Sequence, residues 1–205
     1  ELCYATSSFP DRDFRYRGTL VSNGDVGYDG RSERKRCNAT GTTHGGIEKI
    51  GGKWYVFYHR LTHGSDYSRQ MCAEPLELRP DGSIAQVEMT SCGLNGGDLP
   101  GMGEYPALIC CNLTNGKMPH IANQIRKNIP AITHSDTEWY VGNAAKGTQI
   151  GYKYFSIQDN TVLRVTARGN GQVHIKINGR SVGSLSFHSE KWAAAPLTIP
   201  QGNPH

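Results

Sequence analysis

The chain has 205 residues, 22 Lys and Arg against 18 Asp and Glu, a formal charge of +4, 37% hydrophobic residues and 25 glycines. That balance describes a turn-rich globular protein and excludes a coiled coil or a charged disordered tail. The cations are scattered except in RSERKR, residues 31–36, which reads as a solvated loop, so no nucleic-acid partner is expected. No apolar run approaches membrane-spanning length, and the opening ELCYATSS lacks a signal peptide's charged-then-apolar layout. No membrane partner is expected, and localisation stays open between cytoplasm and secretion.

In chain order, LCYAT and FRYRGTLV read as two paired strands around SSFPDRD. A loop rich in Gly and charge follows over Asn23–Thr42. THGGIEKI, a Gly-Gly turn and KWYVFYHR then form a β-hairpin, because β-branched and aromatic residues flank a two-residue turn suited to left-handed backbone. SRQMCAEPLEL, residues 68–78, is the next strand, with Pro75 placing it at an edge or bulge. Asp81-Gly82-Ser83 supplies a turn and IAQVEMT, residues 84–90, a fourth strand. The four make an antiparallel meander the size of one propeller blade.

The composition changes at GLNGGDLPGMGEYP, residues 93–106, where a domain boundary is expected. Beyond it, WYVGN, IGYKYFSI, TVLRVTARG, GQVHIKING, VGSLSFH and APLTI read as short strands of a β-sandwich. The expected domains are residues 1–95 and 104–205. A single blade cannot bury both its faces, and TIPQGNPH stops where another strand would begin, so a fragment cut at both ends is expected. None of the six cysteines forms a CxxC pair, which argues against a zinc ribbon; buried thiols are expected rather than disulfides. The Asn-x-Thr triplets at Asn38 and Asn112 are glycan acceptors only in a secretory pathway.

THGGIEKIGGKWYVFYHR, followed by YSRQMCAEPLEL and PDGSIAQVEMT, resembles the last blade of glycoside hydrolase family 43, five-bladed β-propellers that hydrolyse arabinose- and xylose-containing glycans. ELCYATSSFPDRDFRYRGTLVSNGD resembles the outer strands of the preceding blade. YVGNAAKGTQIGYKYFSI and the later strands resemble, more loosely, the family 6 carbohydrate-binding β-sandwich of jelly-roll type. The resemblance implies an all-β chain: the end of blade four, blade five, and a carbohydrate-binding-module-like sandwich. It also implies an inverting mechanism, in which a carboxylate activates water and a carboxylic acid protonates the leaving oxygen. In the family these groups come from earlier blades. Glu48, Glu74, Glu77 and Glu88 lie within strand patterns and read as solvent-facing or edge carboxylates, so no catalytic acid or base is expected in this segment. The alternative is a non-catalytic carbohydrate-binding or structural sandwich module.

The resemblance marks His44, at the head of the blade's innermost strand, as a channel residue supporting a hydrated calcium ion or the site's carboxylates. A lone His at a strand start is otherwise a common satisfied interior residue. Arg69 matches a position near the sugar pocket, where its fork would orient a carboxylate; its alternative is a solvated strand-edge cation. His59, His63 and Asp66 lack a zinc spacing and read as a polar rim loop. Asn38, Thr40 and Thr42 are candidates for sugar hydroxyls. Trp139, Tyr140, Tyr152, Tyr154 and Trp192 are candidates for stacking on sugar rings, Trp139 and Trp192 foremost because they flank loops; one of Tyr152 and Tyr154 is expected in the core.

Overall fold

The computed structural model describes residues 1–62, 67–117 and 129–202. The chain is all-β: its strands are β1 (Leu2–Thr6), β2 (Arg15–Val21), β3 (Gly45–Ile50), β4 (Lys53–Leu61), β5 (Arg69–Leu76), β6 (Leu99–Pro100), β7 (Asn112–Thr114), β8 (Ala131–His134), β9 (Trp139–Gly142), β10 (Gln149–Gly151), β11 (Phe155–Ser156), β12 (Val162–Ile177) and β13 (Arg180–Thr198). Short 3₁₀ turns occupy some of the connections. Two compact units form, one of residues 1–98 and 104–154, the other of residues 99–103 and 155–205.

In the first unit β1 pairs antiparallel with β2, and β3, β4 and β5 form a three-stranded antiparallel sheet in that order. Gly51 and Gly52 turn the β3–β4 hairpin at φ of 57° and 84°, the left-handed pair such a tight turn requires. Pro75 lies opposite Tyr55 on the edge strand β5, where its missing N–H costs no described ladder bond. Strand β4 is buried on both faces: Val56, Tyr58 and Arg60 alternate with Tyr55 and Leu61, each at most 5% exposed. One face packs Val56 and Tyr58 against Leu20 and Val21 of β2, Cys37, Ile84, Met89 and Cys111.

The expected fourth strand over residues 84–90 is absent. The segment makes only two isolated bridges, Leu78 to Ile84 and Val21 to Val87. Its backbone donors go elsewhere: Val87 to the Leu20 carbonyl, Met89 to the Asp25 carboxylate at 2.8 Å, and Thr90 to the Glu74 carboxylate at 2.6 Å. Buried carboxylates take the N–H groups that a fourth strand would have offered to a sheet.

Residues 104–154 group with the first 98 residues rather than with the C-terminal strands. Arg60, 3% exposed, donates to the carbonyls of Cys110 and Leu108 and to Gln70, binding this segment onto β4. Leu113 N–H donates to the Cys37 carbonyl, and Cys110, Leu113 and Ile132 form a small core with Leu108 and Val141. Here β8 pairs with β9, and β7 with β10. IGYKYFSI is therefore not one strand. It breaks between β10 and β11 at Tyr154, whose φ is 65°, and neither Tyr152 nor Tyr154 enters the core, at 42% and 49% exposed.

In the second unit four of the expected short strands run together into two long ones. TVLRVTARG and GQVHIKI join as the 16-residue β12, and RSVGSLSFHSEKWAAAPLT forms the 19-residue β13. Where TVLRVTARG and GQVHIKING were expected to be separate strands, the chain instead passes through a bulge with a register shift between Ala167 and Gly169, and Asn178-Gly179 makes the hairpin turn with φ of 48° and 79°. Val182, Leu185 and Phe187 of β13 are buried, and a Cβ at Gly183 would collide with the Leu197 side chain, so the ribbon folds back on itself there. β6 and β11 add a short parallel pair.

All six cysteines are free thiols. Cys37, Cys110 and Cys111 are buried, Cys72 and Cys92 half-buried, and Cys3 is exposed.

Candidate functional site at the head of the three-stranded sheet

Antiparallel register places His44 opposite His59, one position beyond the Gly45–Tyr58 pair. It also pairs His59 with Met71 and Leu61 with Arg69. Directly opposed residues share a face, and alternate residues along a strand do too, so His44, His59 and Arg69 all lie on one face at one end of the sheet.

The backbone there is held from two sides. Asn23, 2% exposed, donates from Nδ2 to Thr43 Oγ1 at 2.9 Å. The His44 N–H donates to Nδ1 of His59 at 3.3 Å, and the two imidazoles lie 5.4 Å apart at 38°. Gly45 is required next to them: a Cβ there would collide with the Phe57 carbonyl and crowd Leu2. Burial lowers the pKa of His59, and the Arg69 guanidinium and His44 imidazole lower it further. His44 is exposed at the head of β3 and Arg69 is exposed at the start of β5. His63 and Asp66 lie outside the described residues.

The remaining candidates separate from this group. Asn38 is buried, with its Oδ1 accepting the Ala39 N–H, so its Asn-x-Thr triplet is not presented at the surface of the folded chain. Thr40 is half-buried and accepts from Arg36 at 3.1 Å; Thr42 is exposed. RSERKR is not fully solvated, because the Arg36 side chain is 9% exposed and pairs with Glu33 at 3.1 Å. Trp139, 58% exposed on β9, packs beside His134 with ring centroids 4.8 Å apart. Trp192 belongs to the other compact unit, where the Arg168 guanidinium lies 4.9 Å over its ring.

Two of the glutamates are not where the strand pattern put them. Glu74 is 1% exposed and accepts from Thr90 N–H and Oγ1 and from the Tyr58 hydroxyl. Burial still raises its pKa to about 7. Glu88 accepts from the Lys153 ammonium at 2.7 Å and from the Tyr154 hydroxyl. Both carboxylates are occupied inside the unit. Glu48 and Glu77 are exposed.

The buried polar centre that the sequence did not announce is Asp25, fully buried, which accepts from Lys153 at 2.7 Å, from Met89 N–H and from the Cys37 thiol at 3.5 Å. Burial and then the Asp25 charge push the Cys37 thiol up to about 12. Asp25 sits in the turn-like SNGDVG, and Lys153 looks like any strand cation. Neither carries a local signal of the other.

Chemically, the head of the sheet offers an exposed imidazole, His44, and an exposed guanidinium, Arg69, on one face. Those two groups can donate hydrogen bonds to an oxygen-rich ligand. Calcium takes six to eight oxygens. No three His, Cys, Asp or Glu side chains converge on a metal site among the described residues.

No family model matches the chain. A protein named xylosidase/arabinosidase from Thermoclostridium stercorarium is 38% identical over 219 aligned residues, spanning 98% of this chain and 46% of that protein. A second protein of that name, from Bacteroides ovatus, is 32% identical over 89 residues, spanning 42% of this chain and 23% of its own length. The chain thus spans less than half the length of the curated relatives it matches.

Proposed function

We propose that this chain is part of a glycoside hydrolase acting on xylose- or arabinose-containing carbohydrates. The observation that carries the reading is the 38% identity to the Thermoclostridium stercorarium protein, which runs through 98% of the chain. The finer reading is a C-terminal portion of an inverting family 43-like enzyme, of α-L-arabinofuranosidase or β-xylosidase type, with β3–β5 as part of its last propeller blade. In that reading His44 and Arg69 support the sugar site. His44 donates to substrate or to a catalytic carboxylate, or accepts from a calcium-bound water, and Arg69 orients a carboxylate through two parallel hydrogen bonds. Asn38, Thr40 and Thr42 are the nearby candidates for sugar hydroxyls. The buried setting of Asn38 favours its holding the loop, which leaves the exposed Thr42 to reach ligand. The acid and base come from residues outside this segment.

The test is turnover of 4-nitrophenyl α-L-arabinofuranoside and β-D-xylopyranoside by the complete gene product, with the first-formed anomer read by NMR. Hydrolysis with inversion is expected, and the isolated 205-residue chain should show none. Failure of the complete protein to cleave either glycoside, or retention at the anomeric carbon, would sink the reading.

A second reading rests on Trp139, whose exposed ring is the flat apolar surface that stacks on a pyranose. It makes the chain a sugar-binding module. Quenching of tryptophan fluorescence by xylo- or arabino-oligosaccharides, lost in Trp139→Ala and retained in Trp192→Ala, is its expected result.

A further inference from the structure

His59 has two ring nitrogens, and the structure commits one of them. Nδ1 faces the His44 N–H at 3.3 Å, so it must be the bare acceptor. The other nitrogen, Nε2, then carries the proton. Nε2 is buried and has no hydrogen-bond partner among the described residues. The opposite tautomer would place an N–H against the His44 N–H, donor against donor. Backbone hydrogen bonds with Thr42 and His44 favour the charged ring, but burial and the facing Arg69 and His44 charges outweigh them.

We propose that His59 is the positioning residue for His44: its Nδ1 accepts from the His44 N–H and so fixes the backbone that presents the His44 ring. The fold spends much on this arrangement. Asn23 grips Thr43 on the other side of the same peptide, and Gly45 lets the strand come close enough for the bond to form. His44 is thereby presented with its backbone preset and its ring exposed. That matters because a site group misplaced by about an ångström can lose a hundredfold in rate.

The proposal rests on the reading of His44 as a sugar-site residue only for its catalytic consequence; its structural part is read on this chain alone. Long-range ¹H–¹⁵N correlation of the chain should show His59 as the Nε2–H tautomer, with a pKa below the ordinary histidine value of about 6.5. His59→Phe keeps a ring but removes the acceptor, and should speed hydrogen exchange at the His44 amide about tenfold. His59→Asn retains an acceptor near Nδ1 and should preserve protection. In the complete enzyme, His59→Phe should lower kcat/KM about as much as His44→Ala, with the double variant no worse than either and His59→Asn partly rescued. An Nδ1–H tautomer, unchanged His44 protection in His59→Phe, or additive losses in the double variant would overturn the proposal. An enzyme indifferent to His44→Ala, with tautomer and protection as expected, would instead overturn the sugar-site role of His44.

Discussion

Lys153 sets its ammonium 2.7 Å from the carboxylate of Asp25, a fully buried side chain 128 residues earlier in the chain. The same ammonium reaches Glu88 at 2.7 Å and the Met89 carbonyl at 3.1 Å. Burial opposes the lysine charge, but the hydrogen bonds to Asp25 and Glu88 outweigh it and raise the pKa. One side chain thus ties the end of the 104–154 segment to the loop after β2 and to the segment that replaces the missing fourth strand.

Removing that cation leaves two carboxylates in a space built for three charges. Breaking one side of a buried pair costs about 3–5 kcal/mol, because the surviving charge stays desolvated. Lys153→Met should lose about that much in urea unfolding. Adding Asp25→Asn should restore part of the loss, since the uncompensated charge is gone. A cost below about 1 kcal/mol for Lys153→Met would show the network to be hydrated and weak.

Glu74 makes folding depend on pH in the direction opposite to most paired carboxylates. Its folded pKa, near 7, lies above the ordinary value of 4.5, so between these limits the folded chain holds the proton more tightly than the unfolded one. Its contribution is complete below about pH 4.5 and is lost as pH rises through 7, at most about 1.4 kcal/mol per pH unit. Glu74→Gln, which stays neutral and can still accept from Thr90, should flatten this part of the stability profile. Comparison of urea midpoints at pH 5 and pH 7.5 decides it: an equal pH dependence in wild type and variant contradicts the assignment.

The hairpin was legible because its information is local. Gly51-Gly52 between two apolar runs specifies both the turn and the register, and the register alone brings His44 opposite His59. Pro75 narrowed β5 to an edge or a bulge, and the structure takes the edge. The fourth strand misled because IAQVEMT has strand-like residues, yet its donors are claimed by Asp25 and Glu74, whose burial no local pattern reveals. The same limit hid Lys153, which looks like a surface cation until its distant partners are in place. The Gly169-Asn170-Gly171 stretch misled in another way, since glycines between two strand-like runs read as a break where the strand in fact continues through a bulge.

Arg60 is the second fastener of the 104–154 segment. Its guanidinium serves the carbonyls of Leu108 and Cys110 and the Gln70 side chain at once, which only a planar fork can do. Arg60→Lys keeps the charge but cannot reach all three acceptors, and should cost about 2 kcal/mol or more. The accompanying signature is faster hydrogen exchange across residues 108–113, with β3–β4 protection unchanged. Uniform loss of protection through the whole unit would mean that Arg60 supports the sheet itself.

His44 separates a functional head of the sheet from a merely structural one. The residue is exposed, so His44→Ala leaves no core cavity and should move the melting temperature little. In the complete enzyme the same change should lower kcat/KM about 10- to 100-fold, as losing a contact that orients a metal or a catalytic group does. That range corresponds to about 1.4–2.7 kcal/mol of transition-state stabilisation. Calcium enters as a second variable. If His44 acts through the ion's hydration shell, a chelator should depress the wild type toward the variant and leave the variant little changed. If His44 acts on sugar or carboxylate directly, the chelator should depress both by the same factor. Full activity per folded molecule in His44→Ala would remove this histidine from the site.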